Sequence, residues 1–205
     1  MRTRIGFFLL SAVFVLAGCS PGSPPGPLSS ASPTAGPTTT TATSTPSPTP
    51  PAEPQTPADL LAYIQAGSPV SLATYGGSPV ASFSTPSANI SCGVFGPSNA
   101  AALCFIDENS WPSVPAQICN DFGGWTDRSL TTSSNGVRRG DCFSEQPFPV
   151  PAKVLPYGST ISNGSVACRS ESVFLACAHL ASGNGFVIAR AIFHTYGTVQ
   201  PPHGN

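Results

Sequence analysis

The sequence predicts an all-β fold: a small β domain of hairpins stapled by disulfides, with one short N-terminal helix, behind a disordered N-terminal stalk. Short apolar and β-branched runs are broken by Gly, Pro, Asn or Ser every eight to twelve residues or so, which is typical of all-β domains. Six of the seven cysteines lie in this part of the chain. Residues 20–57, by contrast, consist almost wholly of Pro, Thr, Ser, Ala and Gly.

The chain begins with the layout of a secretory signal. Arg2 and Arg4 precede an apolar segment over residues 5–17, and Gly18-Cys19 follow it. A basic start, an apolar middle and small residues at the cleavage point define such a signal, and a cysteine directly after them makes a bacterial lipobox. A membrane span needs about 20 apolar residues, which this segment lacks. We expect residues 1–18 to be removed and Cys19 to carry the lipid that anchors the protein extracytoplasmically to the cell membrane.

The linker that we assign to residues 19–57 contains almost nothing that a fold could bury. Proline directs such a segment toward polyproline II, at about 3.1 Å per residue, so residues 20–57 can extend to at most about 115 Å. It is either a stalk with glycosylated threonines or a plain spacer. The folded domain is predicted to cover residues 58–205.

Charge excludes two classes of partner. Charged residues make up 8% of the chain, far below the usual quarter or so. Without Arg2 and Arg4, 6 of the 8 basic residues remain against 9 acidic ones, a net charge of −3. Nucleic acid requires a basic face and an anionic bilayer a polybasic patch, so we expect neither. We expect a monomer that meets the membrane through the lipid on Cys19.

A short helix is predicted at the start of the domain. Thr56 can cap it, Pro57 suits its first position and Asp59 its third. Gly67 ends it. The residues that fall on one apolar face are Leu60, Leu61 and Ile64. We expect this helix to pack as a lid on the domain edge.

The strand signals follow in order after residue 69. Candidate strands are residues 80–84, 88–94, 101–106, 137–143, 153–155, 165–169, 173–178 and 185–196. The last is apolar on both faces and is either a central strand or helical in its second half, which periodicity alone does not decide. Residues 106–137 form a middle loop with few strand signals.

The six cysteines of the domain allow fifteen pairings, and geometry favours the sequential one. The two pairs that flank short turns lie on neighbouring candidate strands, where facing Cα atoms are about 5.5 Å apart. The remaining pair follows by elimination. The predicted bridges are Cys92–Cys104, Cys119–Cys142 and Cys168–Cys177, each worth about 2–4 kcal/mol. The alternative, a metal or redox site, requires close C-x-x-C pairs, which the sequence lacks, so no metal and no cofactor are expected.

Four stretches carry a resemblance to a known family. They are Phe83-Ser84-Thr85-Pro86-Ser87-Ala88-Asn89-Ile90-Ser91-Cys92, Leu155-Pro156-Tyr157-Gly158, Cys168 through Cys177, and Gly183-Asn184-Gly185-Phe186 leading to Arg190. The domain resembles a family of actinobacterial (mycobacterial-type) lipoproteins and secreted proteins that has no established activity. Ala88 stands where such proteins often have Gly, and Ala178-His179 where a small polar residue is more usual. The resemblance implies a disulfide-bonded β domain of the cell envelope, and no mechanism.

Signals for catalysis are weak. The sequence has no G-x-S-x-G, H-E-x-x-H or P-loop motif. His179 and His194 each stand alone in an apolar strand and are interpreted as structural. Asp107 and Glu108 are adjacent, so on a strand they would point to opposite faces.

The best candidate binding loop is Asp121, Trp125, Asp127 and Arg128, because a tryptophan beside two glycines can present a flat apolar ring to a sugar. The alternative is a tryptophan that plugs the edge of the core. Residues 138–141 are interpreted as a solvated charged turn, or else as an anion-contacting patch. Arg190 is expected to be buried and to need an ion pair with an acidic residue of the middle loop.

These features favour a non-catalytic module that binds a cell-wall glycan or an envelope protein. Two alternatives stay open: a wall hydrolase that uses Asp107, Asp121 or Asp127, and an inhibitor or sensor of an extracellular enzyme.

Overall fold

The computed structural model describes residues 51–119, 123–148 and 152–202. One α-helix, α1, covers Pro57–Gln65, and short 3-10 helices cover Leu72–Tyr75 and Pro97–Asn99. The strands are β1 (Ser68–Pro69), β2 (Val80–Ser84), β3 (Ile90–Phe95), β4 (Ala101–Ile106), β5 (Gly124–Ser133), β6 (Gly136–Phe143), β7 (Lys153–Val154), β8 (Ser159–Ser162), β9 (Val166–Ser170), β10 (Leu175–His179), β11 (Gly185–Ile188), β12 (Phe193–Tyr196) and β13 (Val199–Gln200). The predicted signal, Cys19 and the linker up to residue 50 lie outside the described residues, as do Asp121 and His203.

The strands form two sheets. One has the order β1-β8-β9-β10-β11-β12 and the other β13-β6-β5-β4-β3-β2-β7. Neighbours are antiparallel except at three edges, where β1, β7 and β13 each pair in parallel. Buried side chains of both sheets, such as Phe83 and Leu130 from one and Ile161 and Phe186 from the other, belong to a single core cluster. The domain is therefore a β-sandwich, and the predicted all-β class with one helix is confirmed.

Helix α1 begins as the sequence predicts. The Thr56 hydroxyl accepts from the Asp59 amide at 3.1 Å, and the Asp59 carboxylate accepts from the Thr56 amide at 3.0 Å. Leu60 and Ile64 are fully buried, in a second cluster with Ala176 and Val187. The helix thus covers the outer face of the six-stranded sheet, and the prediction of a lid on the domain edge was wrong.

Packing begins ahead of the predicted boundary at residue 58. Pro54 is buried, and the Tyr196 hydroxyl donates to its carbonyl oxygen at 2.7 Å. Burial, together with the charges on Glu53 and Asp59, raises the pKa of Tyr196 to about 12, so the phenol keeps the proton that it donates. His194 contacts the Glu53 carboxylate beside it.

Several segments differ from the predicted strands, and β1, β8 and β13 lie outside all the candidate strands. The middle loop contains β5, the longest strand among the described residues, because its many Ser and Thr side chains hide the apolar signal while its backbone pairs with β4 and β6. Residues 185–196 form a hairpin of β11 and β12 that reverses at residues 189–192. Neither the single central strand nor the helical second half was correct.

The three disulfides are those that the sequence predicts. Cys92–Cys104 joins β3 to β4 and Cys168–Cys177 joins β9 to β10, each with Cα atoms 4.1 Å apart. That spacing is shorter than expected because both pairs take the non-hydrogen-bonded positions of the ladder, which lie closest together. The Sγ atoms of Cys104 and Cys177 are 3.9 Å apart, so the two bridges touch across the sandwich.

Sulfur proximity alone does not make this cluster a metal site. The Sγ atoms of Cys92, Cys104 and Cys177 lie within 4.8 Å of one another. All three are bonded in disulfides, whereas metal coordination uses the thiolate.

Candidate functional site

Trp125, Asp127 and Arg128 of the predicted binding loop lie on strand β5 and not in a loop, whereas Asp121 lies outside the described residues. Trp125 is half-buried and covers Gly140 of β6, where an added Cβ would come 2.4 Å from the indole ring. Gly140 also has a φ of +81°, which disfavours other residues there. The indole ring of Trp125 therefore packs against strand β6.

The charged residues near Trp125 have partners within the domain. Asp127 accepts from Arg139 at 3.2 Å, and Arg128 donates to the carbonyl oxygen of Asp107. Arg138 pairs with Asp141. Residues 138–141 are thus part of strand β6, and the solvated charged turn was a wrong prediction.

The buried arginine of the domain is Arg139 rather than Arg190. Its guanidinium carbon lies 5.2 Å from the Trp111 ring centroid and 5.1 Å from that of Phe193. Arg190 is 68% exposed in the turn between β11 and β12. Its predicted ion pair with the middle loop does exist, with Glu108 as partner, but at the surface, so its predicted burial was wrong.

The two histidines do not meet. His179 is buried at the end of β10, with its Nδ1 atom 3.0 Å from the Ser182 hydroxyl. His194 is exposed on β12. The two strands flank β11 on opposite sides, which keeps the imidazoles apart.

A concave surface lies where four connections converge, and we name it the Tyr157 groove. Its volume is about 260 Å³. Its lining includes Thr85, Ser87, Tyr157, Glu171, Val173 and Arg190.

The β2–β3 turn forms one wall. The Thr85 amide donates to the Ile90 carbonyl at 2.9 Å, and the hydroxyls of Thr85 and Ser87 are 3.0 Å apart. Ala88 within this turn has a φ of +57° and is the one non-glycine residue with a positive φ in the described ranges. The wall is thus held in place by short-range hydrogen bonds.

The segment that follows β4 contacts Arg190 on the groove rim. The side chain of Asn89 bonds both backbone groups of Glu108, at 2.9 and 3.0 Å, and Glu108 pairs with Arg190. The Ser110 amide donates to the Arg190 carbonyl oxygen at 2.8 Å. Glu108 and Ser110, which follow β4, therefore contact Arg190 through its side chain and its backbone respectively.

Glu171 on the opposite wall is equally engaged. Its carboxylate lies 2.6 Å from the Arg169 guanidinium, whose central carbon sits 4.3 Å from the centroid of the Tyr63 ring. Burial, and then the charge on Glu171, raise the pKa of Tyr63. The phenol is therefore neutral, and Arg169 remains the partner of the Glu171 carboxylate.

Tyr157 is the prominent apolar feature of the groove. Its side chain is 44% exposed, and Val173 nearby is 36% exposed. Its turn is fixed by the Gly158 amide, which donates to the Ser170 carbonyl at 2.7 Å. A solvent-facing ring on a fixed turn, beside a hydroxyl, is suited to contact a ligand. Among the described residues that line the groove, Glu171 is the only carboxylate, so it has no second carboxylate there for acid–base chemistry.

The Ala88→Gly variant is expected to be more stable than the parent. The left-handed conformation costs a non-glycine residue roughly 1–2 kcal/mol, while the extra freedom of glycine in the unfolded chain offsets roughly 0.5–1 kcal/mol. The net gain is up to about 1 kcal/mol, or about 2–4 °C in Tm for a domain of this size. Thermal denaturation measures it, with Ala101→Gly in β4 as the control that should lose stability; a lower Tm for Ala88→Gly would contradict the assigned backbone.

The chain has no match among protein-family models. Curated proteins and solved structures likewise give no significant match.

Proposed function

We propose that the protein is a lipid-anchored, extracytoplasmic and non-catalytic module that binds a component of the cell envelope, a wall glycan or an envelope protein, through the Tyr157 groove. The observation that carries the proposal is the convergence of four connections around one exposed aromatic ring. The lipobox at Cys19 supports the anchor. In the part of the chain that the structure describes, no helix is long and apolar enough to cross a membrane.

The hydrolase alternative has less support from the described residues. Glycoside hydrolysis uses two carboxyl groups about 5–9.5 Å apart, one of them free to act as an acid. Asp127 is paired with Arg139, and Asp107, which follows the end of β4, is not among the residues that line the groove. Asp121 lies outside the described residues.

Binding is tested by capture. The full mature chain, solubilised in detergent and immobilised, should retain envelope material, and Tyr157→Ala should lose most of that retention because the exposed ring supplies the apolar contact. Ile118→Ala is the matched control, since Ile118 is 76% exposed and does not line the groove. Equal retention by parent and Tyr157→Ala would refute the groove as the binding site.

The anchor is tested by Cys19→Ala. Without the thiol there is no site for the lipid, and stable anchoring requires at least two acyl or equivalent membrane signals. We expect the variant to incorporate no clickable fatty acid, whereas the parent should be labelled and fractionate with membranes. Equal labelling of the two would show that Cys19 is not the modified residue.

A further inference from the structure

The charges at the Tyr157 groove cancel. Glu171 lies 2.6 Å from Arg169, and Arg190 pairs with Glu108, so each charged residue of the lining has an opposite charge in contact. A charged ligand would have to compete with an existing ion pair on either wall. The groove lining is therefore polar but carries no net charge.

The remaining lining combines hydroxyl groups with one apolar plane. Ser87 presents an exposed hydroxyl on the β2–β3 side, and the buried hydroxyl of Thr85, 3.0 Å away, holds it in place. The Tyr157 ring is exposed between the walls, and its own hydroxyl makes no hydrogen bond to any residue that the structure describes. Hydroxyls that can both donate and accept, placed beside an aromatic face, match a ring that carries hydroxyls at its edge and C–H groups on its face.

Size and rigidity restrict the ligand further. The volume of about 260 Å³ lies just below the roughly 300–1,000 Å³ of pockets that take drug-sized molecules. It suits one or two sugar rings of a longer chain. Both walls are held by backbone hydrogen bonds of 2.7–2.9 Å, which lowers the entropic cost of binding a small ligand.

From these observations we infer that the Tyr157 groove binds an uncharged glycan segment, with Tyr157 stacked on a sugar ring and the Ser87 hydroxyl bonded to its edge. This inference rests on the proposed binding function and names its ligand class. Of the two ligands that the proposed function allows, a wall glycan and an envelope protein, this inference names the glycan.

The test uses protein-free envelope polysaccharide, divided by anion exchange into uncharged and anionic fractions. Each is titrated against the full mature chain in detergent. The uncharged fraction should bind, with an affinity that changes by less than about twofold between low and high salt because no net charge is involved. Tyr157→Ala should weaken binding by about tenfold or more, whereas Tyr157→Phe keeps the ring and should stay within about threefold of the parent.

Ile118→Ala and the thermal melt of each variant serve as controls for surface apolarity and for folding. Salt-sensitive binding of the anionic fraction alone, or binding of the uncharged fraction that Tyr157→Ala leaves unchanged, overturns the inference. If neither fraction binds and the capture experiment retains an envelope protein through Tyr157, the glycan inference fails while the proposed function stands. If neither fraction binds and nothing is captured, both fail.

Discussion

In the folded domain, a mild dithiol reductant should open the Cys119–Cys142 bridge first and leave the other two bridges closed. Reduction requires a thiolate to reach a disulfide sulfur. Cys119 and Cys142 are partly exposed, whereas the other four cysteines are 0% exposed. Those four become accessible only when the sandwich opens, which costs much of a global stability of about 5–15 kcal/mol, so their reduction should be at least about a thousandfold slower.

Timed reduction followed by alkylation and peptide mapping measures the order of opening. In native buffer the label should appear at Cys119 and Cys142 alone. In denaturant all six cysteines should be labelled together, which controls for intrinsic reactivity. Labelling of Cys104 or Cys177 at the same rate as Cys119 in native buffer would show that the two sheets do not protect the buried bridges from the reductant.

Much of the fold was predictable where the signal is local. The bounds of β2 and β4 agree with the candidate strands at residues 80–84 and 101–106, because turn residues bracket each apolar run. The capping pair Thr56 and Asp59 fixed the start of α1. The sequential disulfide pairing was predictable because Cys92–Cys104 and Cys168–Cys177 each span one connection between neighbouring strands.

The parts that were missed depend on contacts distant in sequence. The β11–β12 turn contains Ala189 and no Gly or Pro, so it carries no turn chemistry of its own. It is held from outside, by the Trp111 indole, which donates to the Ala189 carbonyl at 2.9 Å, and by the Ser110 amide. Arg139 could be buried because Trp111 and Phe193 flank it, a juxtaposition that no local pattern encodes.

The candidate site was missed for the same reason. In the sequence, Tyr157 stands between Pro156 and Gly158 without a signal of its own, and Trp125 is the more conspicuous aromatic residue beside glycines. Folding covers Gly140 with Trp125 and brings Tyr157 together with turns that lie up to 70 or so residues away in the chain. The segments that meet at the groove are far apart in the chain, and no local pattern marks them as neighbours.

Leu60→Ala is expected to destabilise the domain strongly. Leu60 is 0% exposed, and a Cβ added at Gly185 would come 2.5 Å from its Cδ2 atom, so the helix lies directly on the backbone of β11. The strands beneath cannot move into the vacated space, because their other face packs against the second sheet. Truncation of a buried leucine costs about 2–5 kcal/mol, which corresponds to a fall in Tm of about 4–20 °C for a domain of this size.

Thermal denaturation of the oxidised full chain measures the effect, and Ile64→Ala should behave in the same way. Gln65→Ala is the matched control, since Gln65 is exposed at the end of α1 and its loss should change stability by no more than about 0.5 kcal/mol. Deletion of residues 58–66 removes both buried side chains and should lower the Tm further than either single variant. If that deletion leaves the Tm unchanged, α1 belongs to the linker and the sandwich is stable without a cover on its outer face.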